Sequence, residues 1–371
     1  MDEPIRILHV VVNMNRGGAE TLIMNLYRNI DRSKIQFDFL TCKEGVFDKE
    51  IEEMGGKIYR IPYISEVGHS GYIKELKKFF ESNNSDVIHS HLDKMSGLVL
   101  RVAKKYKIPV RIAHSHNTRS EGSFPARLYK WYIGKLIIPY ATNYLACSES
   151  AAKWLFRNKK DKVVILKNGI ECEKFSFSLT NRNKIREELT INENNIVIGH
   201  IGRFNHQKNH EFIIDIFQEL IKINHNARLI LVGDGVLKEK IEKKVINLNL
   251  EKEVLFLGIQ ENIDELLQAF DLFVFPSFHE GLPVTLIEAQ GSGLPCIISD
   301  TITTEVDMGL NLIERFPLGK AEIWANKINF ISNKKQSRSI QKEVLAKNGY
   351  DIIKTAKWLE KYYIELVRYK V

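Results

Sequence analysis

Two doubly wound α/β domains are the fold this sequence predicts, and three observations predict it. At 371 residues the chain exceeds one ordinary hydrophobic core, so two domains of similar size are expected. Short apolar segments alternate with amphipathic stretches in two long runs, the βα pattern of a mostly parallel sheet covered on both faces. One polar segment, "ECEKFSFSLTNRNK", separates the runs. Hydrophobic residues make up 44% and charged residues 27%, enough apolar surface for real cores, which excludes a disordered chain.

In the first run the strand candidates are "IRILHVVV", "FDFLTC", "KIYRIP", "DVIHSH", "VRIAHSH", "NYLACS" and "VVILKNGI", with helices expected at 19–30, 71–83, 95–107 and 149–158. The second run begins with "NIVIGHIGRF" and continues through helix 209–223, "ARLILVGDG", helix 236–248, "VLFLGI", helix 262–269, "LFVFPS", helix 283–290 and "PCIIS". Residues 1–170 are therefore expected as one Rossmann-like domain, 171–185 as a linker and 186–355 as a second domain, the two facing across a cleft. The aromatic-rich tail is a helical pattern with no strand after it. It is expected to form a helix over about 356–371 that packs back toward the first domain.

Four scattered cysteines (Cys42, Cys147, Cys172, Cys296) form no C-x-x-C, which argues against a disulfide framework or a structural zinc site and fits a reducing cytoplasm. The start, "MDEPIRILHVVV", has no basic leader and no long apolar run, so neither a signal peptide nor a spanning helix is expected. Charge is uneven: residues 1–175 carry 29 Lys+Arg against 20 Asp+Glu, while the rest is close to neutral. Within the basic half, residues 94–167 are net +13 and interleaved with aromatics in "FPARLYKWYIGKLIIPY". A solvated face, nucleic acid and an anionic membrane surface are the readings such a patch allows.

Ligands of open parallel sheets gather at the carboxyl ends of the strands. After the first strand, Gly17 and Gly18 open a helix, which suits an anion but equally a tight turn. After the first strand of the second run, "GRFNHQKNHEF" puts Arg203 and Lys208 in one strand-to-helix loop, where two converging cations match a diphosphate and two solvated ones would do nothing. In "FPSFHEGLPVTLIEAQGSGLPCIISD", Pro283 suits the first position of a helix. The N–H groups of Gly281, Leu282 and Val284, around Pro283 which has none, would then border an anion site. Glu280 precedes it and Glu288 lies about 7.5 Å beyond the proline along the axis. At that separation the two carboxylates do not share a proton. They can accept hydrogen bonds from two polyols on either side of a diphosphate, the layout of a nucleotide sugar.

Taken together, "GGAE", "GRFNHQKN" and Glu280-x7-Glu288 within "EGLPVTLIEAQGSGLPCI" resemble the family-4 retaining glycosyltransferases of the two-Rossmann-domain (GT-B) fold, of the bacterial capsular and exopolysaccharide type with its "HSHN" segment. The resemblance covers nearly the whole chain. It implies that Glu280 contacts the donor sugar and Glu288 the ribose, that Arg203 and Lys208 neutralise the diphosphate, that Gly17 and Gly18 line the donor cleft, and that Ile259 and Asn262 border the base. It implies a donor linked to UDP or GDP, a glycan or lipid-linked acceptor on the first domain, and no cofactor.

"HSH" occurs at His89–His91 and again at His114–His116. By the resemblance a histidine at the end of the later strand faces the donor sugar, and "SHN" aligns better through His116 than through His114. A structural histidine at a strand end is the alternative. No Asp-x-Asp exists to hold the divalent ion of another glycosyltransferase class, so no metal is expected. The expected activity is metal-free transfer in which cations and helix amides stabilise the departing nucleoside diphosphate. A lipid-linked acceptor at the inner membrane face would account for the basic patch, placing a cytoplasmic protein peripherally on that membrane, without nucleic acid. The rival readings are a nucleotide-sugar 2-epimerase of similar fold and a non-catalytic protein that binds nucleotide sugars or nucleic acid.

Overall fold

The computed structural model describes residues 3–120, 122–334, 338 and 342–368. It divides into two compact units, Met1–Ile170 with Gly349–Val371, and Glu171–Asn348.

The first unit holds seven strands, β1 (Ile5–Val10), β2 (Ile35–Thr41), β3 (Ile58–Arg60), β4 (Val87–Ser90), β5 (Val110–Ser115), β6 (Asn143–Ala146) and β7 (Val163–Ile165). They form one sheet in the order β3-β2-β1-β4-β5-β6-β7, and every pairing is parallel. The second unit holds β8 (Ile196–Ile201), β9 (Ala227–Val232), β10 (Val254–Gly258), β11 (Leu272–Phe275), β12 (Cys296–Ser299) and β13 (Ile313–Phe316), ordered β10-β9-β8-β11-β12-β13, again all parallel. Parallel strands need crossover connections, and helices supply them, which is why the strands read as near-continuous apolar runs. In each sheet the strand order reverses once, between β1 and β4 and between β8 and β11, and an open α/β sheet binds its ligands in the crevice at that reversal.

Helix Ile352–Arg368 belongs to the first unit. Its buried residues Ile352, Ala356, Leu359 and Tyr363 recur every three or four positions, one helical face. That face enters a core with Leu22, Ile23, Tyr27 and Phe37, and Tyr363 Oη lies 2.6 Å from His89 Nδ1. In the second unit Trp324, on helix Ala321–Ser332, is fully buried among Ile213, Phe217 and Leu229.

Three boundaries differ from the sequence reading. The segment expected as a linker, 171–185, is part of the second unit and contains most of helix Leu179–Glu188. Its polarity is spent on structure: Ser178 caps that helix, and the Arg182 guanidinium pairs with Asp271 at 2.5 Å while also donating to the carbonyls of residues 268–270. The second unit ends at Asn348 rather than at 355. The final helix starts at Ile352, four residues before the expected position, because Asp351 pairs in a bridge with Ile170 and leads directly into it. Residues 369–371 of the expected helix lie outside the described residues.

Leu359→Ala should cost about 2–5 kcal/mol, the range for emptying a buried leucine site. Urea unfolding followed by circular dichroism checks this; an unchanged midpoint would mean that the final helix does not contribute to the first unit's core.

Candidate active site

The loops after β8 and β11 stand side by side because these strands pair, Leu272 opposite Ile198 and Phe273 opposite Gly199. The β8 loop is shaped by close backbone approaches. Gly233 (φ 132°) and Gly235 (φ 153°) follow β9, and an added Cβ would lie 2.2 Å from the Gly202 carbonyl oxygen at the first and 2.6 Å from the Phe204 carbonyl oxygen at the second. Only glycine permits both the positive φ and the contact. The loop after β9 thus braces the loop that carries Arg203 and Lys208.

Arg203 is exposed on this loop. Lys208 is half-buried and paired, a partner that sequence reading did not give it. Its Nζ lies 2.8 Å from Glu280 Oε1 and 4.5 Å from the centre of the Phe275 ring, and the two charged side chains are only 16% and 9% exposed. Asn205 Oδ1 accepts from the Lys208 amide, and Gln207 Nε2 donates to the His279 carbonyl, so the β8 loop is tied to the chain beside Glu280. The structure brings together a predicted phosphate ligand and a predicted sugar ligand, 72 positions apart in sequence. An exposed pair of this kind contributes little, but one so shielded from water holds its geometry and costs several kcal/mol if one partner is removed.

Helix Val284–Gly291 begins one residue later than expected: Pro283 is the N-cap, with φ −71° and ψ 109°, extended geometry in which its missing N–H is no loss. Gly281, Leu282 and Pro283 are buried, and Val284 is half-buried. Thr285, in the first turn, has a buried hydroxyl with no hydrogen-bond partner among the described residues. Sequence reading passed it over; a hydroxyl residue in the first turn after a Gly-Leu-Pro entry is the signal that could have found it.

Glu288 is half-buried on the same helix. Burial, and secondarily the charge of Asp264, push its carboxyl up to about 7. Asp264 lies on helix Ile263–Ala269, whose N-cap is Asn262 and which packs against helix Val284–Gly291. The segment from Ile259, which is 56% exposed just after β10, to Asn262, whose amide donates to Glu265, thus leads into a helix that borders Glu288.

In the first unit, Gly17 is the N-cap of helix Gly18–Asn29, and a Cβ on Gly18 would meet nothing within 4 Å. Five histidines gather beside the strand reversal. His9 on β1 sits opposite His89 on β4, and His91, His114 and His116 extend the group on the same face of the sheet. Sequence reading noted the last four but missed His9, which is distant in sequence. His114 is fully buried, whereas His116 lies just past the end of β5 and is half-buried. The His116 amide donates to Asp93, a residue at φ 47° that also accepts from the Asn117 side chain. The nitrogens of His9, His89 and His91, and those of His91, His114 and His116, lie within 4.8 Å of one another, so either triple could be drawn onto a transition metal.

A family model described as "Glycosyl transferases group 1" matches residues 181–347, and one described as "Glycosyltransferase Family 4" matches residues 16–174. EpsF of Bacillus subtilis (strain 168), named as a glycosyltransferase, is 40% identical over 356 residues, with 93% of each chain covered. The UDP-Gal:alpha-D-GlcNAc-diphosphoundecaprenol alpha-1,3-galactosyltransferase of Escherichia coli is 26% identical, covering 98% of this chain and 97% of that one. CapH of Staphylococcus aureus, named as a capsular polysaccharide biosynthesis glycosyltransferase, is 28% identical, covering 97% and 99%. Among solved structures, Anabaena Alr3699/HepE in complex with UDP and glucose superposes with a TM-score of 0.81 at 20% identity, covering 97% of this chain and 99% of that one.

The Glu288 carboxyl carries a pH dependence whose sign is fixed. Its pKa is raised from 4.5 to about 7 on folding, so the stability it permits is complete below about 4.5 and is lost as pH rises toward 7. Solvent reaching the half-buried side chain limits the loss to about 1–3 kcal/mol. Glu288→Gln should therefore stabilise the protein at pH 8 and leave it nearly unchanged at pH 4.5, as read by thermal melts at both pH values. Equal effects at the two would show the carboxyl to be unperturbed.

Proposed function

The chain belongs to the group 1 and family 4 glycosyltransferases, and from that membership we propose that it moves a hexosyl sugar from a UDP- or GDP-linked donor to a glycan or lipid-linked acceptor, with retention of configuration, in cell-surface polysaccharide synthesis. The observation that carries this reading is the second unit's strand reversal, where Arg203, the Lys208–Glu280 pair, the Gly281–Val284 entry and Glu288 stand on the loop after β8 and on the loop and helix after β11.

As the bond between sugar and phosphate lengthens, negative charge grows on the leaving diphosphate. Arg203 and Lys208 supply positive charge to it, and the amides at the start of helix Val284–Gly291 supply a positive dipole end. An ammonium has three N–H donors, so pairing with Glu280 does not exhaust Lys208. Held by Lys208, Glu280 is aimed as an acceptor for a sugar hydroxyl. Glu288, with its carboxyl near neutrality, is suited to hydrogen bonding with the ribose. His116 keeps the sugar-contacting role, and Gly17, Gly18, Ile259 and Asn262 the donor-lining roles, that the resemblance implies. The charges that meet the leaving group are the chain's own, so the reaction needs no divalent ion.

The E. coli relative's name gives a UDP-linked hexose as donor and a diphosphoundecaprenol-linked sugar as acceptor, which supports a membrane-borne acceptor here. Helix Phe124–Gly134 fits that surface. Phe124, Leu128, Trp131 and Tyr132 recur on one face and are 70%, 54%, 41% and 62% exposed. Arg127, Lys130 and Lys135 accompany them, with Lys135 Nζ 3.6 Å from the centre of the Trp131 ring. Apolar residues facing water beside cations are what an interfacial helix offers an anionic lipid surface. No described helix is long and apolar enough to cross a membrane.

Incubation with UDP- and GDP-hexoses and a sugar-diphospholipid acceptor, in excess chelator, should release nucleoside diphosphate and give a product whose anomeric configuration by NMR matches the donor's. An inverted product would overturn retention, and a complete loss restored by Mn²⁺ would overturn metal-free transfer. Liposomes rich in anionic lipid should retain the protein better than neutral ones, and Trp131→Ala with Lys135→Ala should reduce that retention. Indifference to lipid charge would leave the helix without a membrane role.

A further inference from the structure

Three of the five clustered histidines form a single file. His116 Nε2 lies 2.8 Å from His91 Nδ1, and His91 Nε2 lies 2.9 Å from His9 Nδ1. These are hydrogen-bond distances, and each contact needs one proton between its nitrogens. The outer nitrogens, His116 Nδ1 and His9 Nε2, are buried with no partner among the described residues.

Neutral imidazoles allow this file only two proton orders. If His91 carries its proton on Nε2, it donates to His9 Nδ1, and His91 Nδ1 must then accept from His116 Nε2; the third proton ends on His9 Nε2. If His91 carries it on Nδ1, every ring does, and the third proton ends on His116 Nδ1. Burial holds the rings neutral: it pushes His9 and His116 down to about 3 and His91 well below its ordinary value, with the neighbouring imidazoles adding to the His91 shift.

The two orders differ in where the one unpaired N–H falls. On His9 Nε2 it would sit in a fully buried ring packed against Phe37 and Phe39, ring centres 4.2 and 5.6 Å away, and a buried N–H without an acceptor is the costlier and rarer orphan. On His116 it falls in the one half-buried ring of the file, beyond the end of β5 and nearer to solvent, the less costly place for an unpaired N–H. We propose that His9 and His91 are positioning residues that fix His116 as a neutral imidazole with its proton on Nδ1, a hydrogen-bond donor to an oxygen of the sugar. A neutral donor of this kind recognises a lone pair without placing a full positive charge beside an oxocarbenium-like sugar. The sugar must therefore present an oxygen acceptor at this position. The use of that N–H rests on the proposed sugar contact of His116; the proton order does not.

A second file serves as the internal control. Tyr363 Oη, His89 and His114 are linked by hydrogen bonds of 2.6 and 3.1 Å, equally buried and joined to the first file by no hydrogen bond between the described rings.

The test is nitrogen-15 NMR of histidine-labelled full-length protein at pH 7 without substrate. His9, His91 and His116 should each appear as the neutral Nδ1–H form. A proton on His116 Nε2, an imidazolium in the file, or one tightly held transition metal per chain in the purified protein would overturn the proposal. His9→Gln offers His91 Nε2 either an amide donor or an amide oxygen, so it should release His116 into a mixture of tautomers. It should also lower kcat roughly 3- to 10-fold, the worth of one hydrogen bond, with the donor KM changed less than about 2-fold. His89→Gln should leave the His116 tautomer as it was. A pure Nδ1–H form of His116 in His9→Gln would overturn the coupling, and if that variant does not fold, the wild-type spectrum still decides. His116→Ala separates the two layers: wild-type transfer by it would remove the sugar contact and leave the proton order standing.

Discussion

The reversal of strand order is the constraint on which the rest depends. β8 pairs with both β9 and β11, and an open α/β sheet binds its ligands in the crevice at such a reversal, beside the loops that leave β8 and β11. The Lys208–Glu280 pair spans those two loops, at 2.8 Å and largely out of water. Because the pair is shielded, neither charge can be dropped without stranding the other, so the two loops are held in one arrangement before any ligand arrives. The first unit uses the same topology to a different end: its reversal, between β1 and β4, brings together neutral imidazoles rather than opposite charges.

The contrast fits what each unit is proposed to recognise. A diphosphate is met by fixed charge and by amide dipoles, and the second unit supplies both from a loop and a helix start. A sugar offers hydroxyls whose donor and acceptor roles must be matched one by one, and a half-buried histidine with a fixed proton, as proposed for His116, would match one of them. The exposed apolar face of helix Phe124–Gly134 addresses a third kind of surface and lies in the unit proposed to carry the acceptor. Glu288 carries a cost, since a carboxyl pushed up to about 7 lowers stability where it is ionised.

Much of the fold was legible because local pattern and tertiary structure agree. Helix 149–158 appears as Glu149–Phe156 and helix 209–223 as His210–Ile223, each with an apolar face turned to a core. Helix Phe124–Gly134 was read only as a basic aromatic patch, since its apolar residues face outward and carry no core-facing signal. Strand β13, "IERF", is four half-buried residues with two charges, too short and too polar to announce itself. Arg203, Lys208, Glu280 and Glu288 could be placed on loops and a helix from residue order alone. Their pairing could not, because a contact between residues 208 and 280 is set by which strands neighbour each other. His9 was invisible for the same reason: only the β1–β4 register sets it opposite His89.

A double-mutant cycle on turnover at saturating donor, with Lys208→Ala, Glu280→Gln and the two combined, tests most directly the claim that these residues act as one unit at the departing diphosphate. Each single variant should lose roughly 10- to 100-fold in kcat, and the double should lose little more than either, a coupling of at least about 1.4 kcal/mol. Losses that simply multiply, within the roughly 0.5 kcal/mol expected of independent sites, would contradict a shared role for the pair.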